Sequence, residues 1–267
     1  MSSKRQQLIC APALWLFIAW GSVPGLLVAG GLTSAAPEET TGGISELHLR
    51  SVGRLLVPGV RYRQGHAEHF DERCSATLVS NRRDEARSDL ILSAWHCIEH
   101  YRDLSRRLVY ESSQGIRKEA RILASGEGMH ADWLLLRLAE PMIHPTYIGL
   151  GPSTSKDQSK IGAPRRNAAL QPLMMAGYPR AAGTDLRVLE TAVGCMGTGR
   201  DGLDISSNCV LQKGASGGAV FAFGGAYAFL GVVSRGDGES QSIYVPLERF
   251  RRQIRPFFKH TVKPDLP

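Results

Sequence analysis

The feature that most constrains this chain is a succession of short apolar or alternating runs, each cut off by Gly, Pro, Asn, Asp or Ser. Arg54–Val57, Cys74–Val79, Asp89–Ser93, Arg107–Tyr110 and Trp133–Leu138 form a first group. Pro172–Gly177, Leu186–Glu190, Ala219–Phe223, Ala226–Val233 and Ser242–Val245 form a second. Runs of this length with such boundaries predict strands. Their recurrence at short spacing, with few helical periods, predicts an all-β fold of the sandwich or barrel kind. Between the groups, Gly151–Lys160 is polar and rich in turn formers, and reads as a connector between two β halves. The end departs from the pattern. Leu247, Phe250 and Ile254 share one helical face with arginines opposite, which predicts a closing helix over 247–258.

The start reads as a leader. After Lys4 and Arg5, no charged side chain occurs from Leu8 to Pro37, and the run ends in the small residues Ser34, Ala35 and Ala36. A basic start, an apolar run and a small-residue exit describe a secretory signal peptide over 1–36. The alternative is an uncleaved anchor, since the run is long enough to cross a bilayer. Both readings export the rest, so a secreted or periplasmic location is expected. Residues 37–50 read as a polar linker or short propeptide, and 259–267 as a tail. Losing Lys4 and Arg5 lowers the formal charge from +7 to about +5. That balance, with arginine pairs scattered along the chain, argues against a nucleic-acid partner.

Five cysteines are present, and Cys10 would leave with the leader. Cys74, Cys97, Cys195 and Cys209 remain, an even number in an exported chain, where disulfides are expected. Three pairings are open. Clustering along the chain favours Cys74 with Cys97 and Cys195 with Cys209. No C-x-x-C pair supports a zinc site. His66-Ala-Glu-His69 has a metal-like spacing but lies in a polar loop without a third ligand. Neither a metal nor an organic cofactor is expected.

Three local sequences carry chemistry. His96 follows the apolar strand Leu90-Ile-Leu92 and precedes Cys97, a place where a base would be held firmly if Cys97 bridges to Cys74. Asp132 stands directly before the strongly apolar run Trp133–Leu138, at a strand edge rather than in a core. Ser216 lies in Gly214-Ala-Ser-Gly-Gly218, where glycines permit a tight turn that aims backbone N–H groups at one spot. Acyl transfer by serine needs a base, a carboxylate to orient that base, and N–H donors for the oxyanion. Gly214 and Ser216 would supply those donors. The Gly-x-Ser-x-Gly elbow of α/β-hydrolases fits formally but requires a following helix and later Asp and His. An apolar β run follows instead, and the only later histidine is His260.

In order and context these motifs resemble the trypsin/chymotrypsin family of serine peptidases, its compact bacterial and glutamyl-endopeptidase-like members above all. Ser93–Cys97 is similar to T-A-A-H-C, Asp132–Leu138 to D-I-A-L-L-R-L, and Gly214–Gly218 to G-D-S-G-G. Cys74–Val79 resembles the family's C-x-G-x-L-I strand, whose cysteine bridges to the one after the histidine. Ala176–Pro179, Val232–Gly236 and Ser242–Val245 resemble G-Y-P, V-S-W-G and G-V-Y-T. The resemblance covers 51–258. It implies two antiparallel six-stranded β-barrels, one about 51–150 and one about 165–246, with the site between them. It further implies a Ser216–His96–Asp132 triad acting on protein or peptide substrates, and a monomer is expected. By position, Val210, Ser234, Arg235, Gly236 and Ser242 would contact substrate or support the triad, Ser234 beside the carboxylate.

The departures matter. Ala215 stands where digestive members keep an aspartate that pairs with a freed N-terminus, and Ser51–Arg54 only loosely echoes their I-V-G-G start. Val210 replaces the specificity aspartate of trypsin-like members, so cleavage after Lys or Arg by that route is not expected. Trp95 and Arg235 replace a small residue and a tryptophan. Trp95 would either crowd the cleft or pack the first barrel. Beside an endopeptidase, two alternatives are carried: a catalytically silent binding protein of the same fold, and an esterase using the same residues.

Overall fold

The computed structural model describes residues 42–102, 105–150, 171–180, 188–224 and 227–259. The leader, the connector at 151–160 and the tail beyond 259 lie outside the described residues. The first barrel uses β1 (Val52–Arg63), β2 (His66–Ser80), β3 (Arg87–Ser93), β4 (Leu108–Glu111), β5 (Arg117–Ser125) and β6 (Leu134–Ile143). Its order is β1-β4-β5-β6-β3-β2, closed by antiparallel pairing of β1 with β2. A two-residue strand β7 (Thr146–Tyr147) adds to β2 in parallel. The second barrel uses β8 (Pro172–Gly177), β9 (Glu190–Asp201), β10 (Asp204–Ser207), β11 (Ala219–Ala222), β12 (Phe229–Gly236) and β13 (Ser242–Pro246). It closes in the order β10-β13-β12-β11-β8-β9. The fold is all-β, two six-stranded antiparallel barrels.

The runs lacking alternation are those buried on both faces. Along β8, Leu173 and Met175 face the interior of the second barrel, while Met174 and Ala176 join the apolar cluster shared with the first. β11 divides likewise, Val220 to one side and Ala219 and Phe221 to the other. Successive side chains of a strand point to opposite faces, so only an unbroken apolar run satisfies both. Each fully buried Leu, Val or Phe contributes roughly 1.5–3 kcal/mol.

β1 runs past the boundary that Pro58 and Gly59 imply. Beyond Leu56 it pairs only with β2, as one half of a ribbon, itself buried through Gly59 and exposed from Arg61, with Gln64 and Gly65 at the tip. A proline is tolerated there because no neighbour requires its missing N–H. His66 and His69 sit near the start of β2. Three residues apart on a strand they face opposite ways, so their spacing does not converge on one ion.

Two segments differ in form from their sequence pattern. Gly42–Arg50 is a helix, α1, braced by an Arg50–Glu46 pair at 2.8 Å in the favourable order, acid before base. The closing segment is not one continuous helix. A 3-10 turn (Leu247–Arg249) leads into one α turn, α2 (Arg251–Ile254), and then a second 3-10 turn (Arg255–Lys259). Pro256 has no N–H and its ring opposes the carbonyl four residues back, which stops the α geometry. Leu247, Phe250 and Ile254 are nonetheless all buried. Among the described residues, no helix is long and apolar enough to cross a membrane.

Candidate active site

β3 ends at Ser93 and the chain turns through Ala94 into one 3-10 turn, Trp95–Ile98, which presents His96. Cys97 in that turn is bonded to Cys74 on β2, with Cα atoms 6.2 Å apart. His96 and the two sulfurs cluster closely, but sulfurs bonded to each other offer no thiolate to a metal. Cys195 and Cys209 form the second disulfide.

Asp132 follows another 3-10 turn, Met129–Ala131, just before β6. Its carboxylate is fully buried and accepts three hydrogen bonds. His96 Nδ1 lies 2.8 Å from Oδ2, the His96 backbone N–H donates to Oδ1 at 2.9 Å, and Ser234 Oγ donates to Oδ2 at 2.5 Å. Burial alone would raise the Asp132 pKa. The His96 ring, Ser234 and the His96 N–H outweigh it and hold the carboxyl below its ordinary value. The turn itself is anchored by Arg249, whose Nη2 donates to the His130 carbonyl at 2.6 Å.

Ser216 sits in the turn before β11. Gly214 has φ +101° and Gly217 +85°, values that favour glycine. A Cβ on Gly214 would strike the Tyr178 carbonyl and Arg180 amide, and one on Gly217 the Ser75 carbonyl and Ser93 hydroxyl. Among the described residues, neither the Gly214 nor the Ser216 N–H donates within the protein. His96 and Ser216 line one cleft of about 310 Å³, without a direct hydrogen bond between their side chains.

Ser234, Arg235, Gly236 and Ser242 line the same cleft; Val210 does not, and its neighbour Leu211 does. Trp95 is absent from the lining and only partly buried. Ser242 Oγ is buried in the cleft wall with no partner among the described residues. Arg235 is engaged by Asp201 at 2.6 Å and Asp204 at 3.3 Å. Burial lowers its pKa, but these two acids outweigh that and raise it. Asp204 also holds Arg249, so the residue anchoring the Asp132 turn is tied to the cleft wall. Sequence reasoning passed over Glu99, Met129, Gln212 and Lys213, which also line the cleft, as do Ala215 and Val233; the closeness of the first four to His96, Asp132 and Ser216 in sequence was the available signal. Arg249 gave none.

Neither protein-family models nor curated protein sequences yield a match to this chain. Among solved structures, the chain is similar to the serine endoprotease of Yersinia pestis, with a TM-score of 0.56 and 12% identity. The superposition covers 81% of this chain and 65% of that one, just under two thirds of its length. At this identity the likeness establishes the fold.

Proposed function

We propose that the protein is a serine endopeptidase, secreted or periplasmic, in which Ser216 is the nucleophile, His96 the base and Asp132 the orienting carboxylate. The observation that carries this reading is the buried Asp132 bonded to His96 Nδ1 in a cleft shared with Ser216. Holding a proton on Nδ1 leaves Nε2 as the acceptor, the tautomer a base requires. Ser216 Oγ attacks the peptide carbonyl and its proton passes to His96. The oxyanion is held by the Gly214 and Ser216 N–H groups. His96 then gives the proton to the leaving amine, and the acyl-enzyme remains. Water, deprotonated by His96, releases the acid and restores Ser216.

Leu211 and Val233 give the cleft an apolar stretch and Arg235 is already neutralised by acids, which favours an uncharged side chain before the scissile bond at that stretch, while Glu99 and Lys213 bring charge elsewhere in the lining. Two disulfides suit an oxidising compartment. The missing direct His96–Ser216 hydrogen bond is what favours a silent binding protein, although such bonds often tighten only with substrate.

Labelling of the purified full-length chain with a fluorophosphonate decides between them. Labelling that disappears in Ser216→Ala and falls by orders of magnitude in His96→Ala is expected. A folded chain that does not react would sink the peptidase reading.

A further inference from the structure

Ser75 lies on β2, remote in sequence from Asp132 and Ser216, and is fully buried. Each of its polar groups reaches the machinery. Its hydroxyl donates to the Gly214 carbonyl at 2.9 Å and accepts the Tyr178 N–H at 2.7 Å. Its N–H donates to the Ser216 carbonyl at 2.7 Å, and its own carbonyl accepts the Ser93 hydroxyl at 2.7 Å. Ser93 ends the strand that presents His96. One serine of the first barrel therefore grips both ends of the Gly214–Ser216 turn of the second, and is itself braced from the histidine side.

The turn's other backbone restraints come from the second barrel's own side. The Ala215 N–H donates to the Gln212 carbonyl at 3.2 Å, the Gly218 N–H to the Ala215 carbonyl at 2.9 Å, the Arg180 N–H to the Lys213 carbonyl at 2.5 Å, and the Gly217 N–H to the Val233 carbonyl at 2.7 Å. Ala215 is buried and apolar, so it offers no acid for an amino terminus. Ser51, the position echoing such a terminus, is buried, and its N–H donates to the His48 carbonyl at the end of α1.

We propose that Ser75 is a positioning residue for the oxyanion donors, its hydroxyl holding the Gly214–Ser216 turn in working geometry without any cleavage to release a terminus. The inference rests on Ser216 being the nucleophile. A hydroxyl that donates to the Gly214 carbonyl and accepts from the adjoining Tyr178 strand end fixes the plane of the peptide between Gly214 and Ala215 only while both bonds exist. Its loss would displace donors rather than remove them.

The test is the kinetics of fluorophosphonate labelling of the full-length chain, resolved into maximal rate and half-saturating probe concentration, for Ser75→Ala, Ser75→Gly and Ser75→Thr. Misplaced donors predict a maximal rate lower by roughly 10- to 100-fold, with half-saturation within about threefold of wild type. Ser75→Thr, which keeps the hydroxyl, is expected to retain most of the rate. Hydrogen exchange on the wild type is a second arm that needs no variant. The Tyr178 amide should be protected like a strand amide, and lose that protection in Ser75→Ala. A folded Ser75→Ala or Ser75→Gly that labels at the wild-type rate overturns the proposal, as does an effect on half-saturation alone. Should neither variant fold, rapid exchange of the wild-type Tyr178 amide overturns it. Absence of labelling in the wild type would instead defeat the nucleophile assignment, leaving exchange at Tyr178 to judge the Ser75 hydrogen bond separately.

Discussion

The rings of Trp133 and Phe250 lie stacked, with centroids 5.3 Å apart and planes 14° from parallel. Trp133 is the residue after Asp132, and Phe250 joins the first two of the three pieces of the closing segment. Arg249, one residue before, holds the His130 carbonyl on the other side of Asp132. The closing segment therefore braces the carboxylate turn at two points. Phe250→Ala is expected to cost about 3–5 kcal/mol through the cavity it leaves, seen as a lowered thermal midpoint. Trp133 fluorescence should change in the folded variant.

Ser234→Ala removes one of the hydrogen bonds that keep Asp132 ionised. Asp132 has a depressed pKa in the folded state, so its stabilising contribution is present above the ordinary carboxylate value and disappears as pH falls through the folded one. With Ser234 gone the folded value rises, and acid unfolding should begin at higher pH. Labelling of Ser216 is expected to slow about tenfold. An acid titration followed by near-ultraviolet circular dichroism, unchanged between the two proteins, would contradict this.

The Cys74–Cys97 bond closes a loop of sequence separation 23. Replacing both cysteines by alanine should destabilise the protein by about 3 kcal/mol on the chain-entropy account, measured by denaturant unfolding. Labelling in mild reductant should decline in step.

His48 on α1 bonds Thr146 at 3.1 Å and packs against Phe221 and Tyr227. Burial lowers its pKa, so its neutral form is preferred in the fold. The stability tied to it is full above the ordinary histidine value of about 6.5 and is lost as pH falls below that toward the folded value. Between about pH 7.5 and pH 5.5 the wild type should lose more thermal stability than His48→Asn, by a difference on the order of 2 °C. Parallel melting curves for the two proteins across that range would refute it.

Much of this molecule was legible because strands announce themselves through side-chain period and turn residues. The apolar run Pro172–Gly177 is β8 as read, and Trp133–Leu138 falls across the start of β6. What escaped was set by tertiary neighbours. Pro58 read as a stop because a lone sequence does not reveal which strand edge is free. The 42–50 helix begins with two glycines, poor helix formers, and its support comes from His48 against Thr146, 98 residues on. Leu211 rather than its neighbour Val210 lines the cleft, and both lie in the irregular segment between β10 and β11, where no side-chain period fixes which residue faces inward. The part played by Ser75 was invisible for a related reason: its partners Tyr178 and Gly214 are 103 and 139 residues away.

The carboxylate of Asp132 belongs to the first barrel, and the hydroxyl it accepts from, Ser234, to the second, 102 residues further along. Neither barrel holds a complete set of groups. On the proposed reading, the cleft's chemistry would be a readout of docking between two halves rather than of the folding of either. Two separately expressed pieces would each be silent, and any reactivity recovered on mixing would count correctly joined pairs.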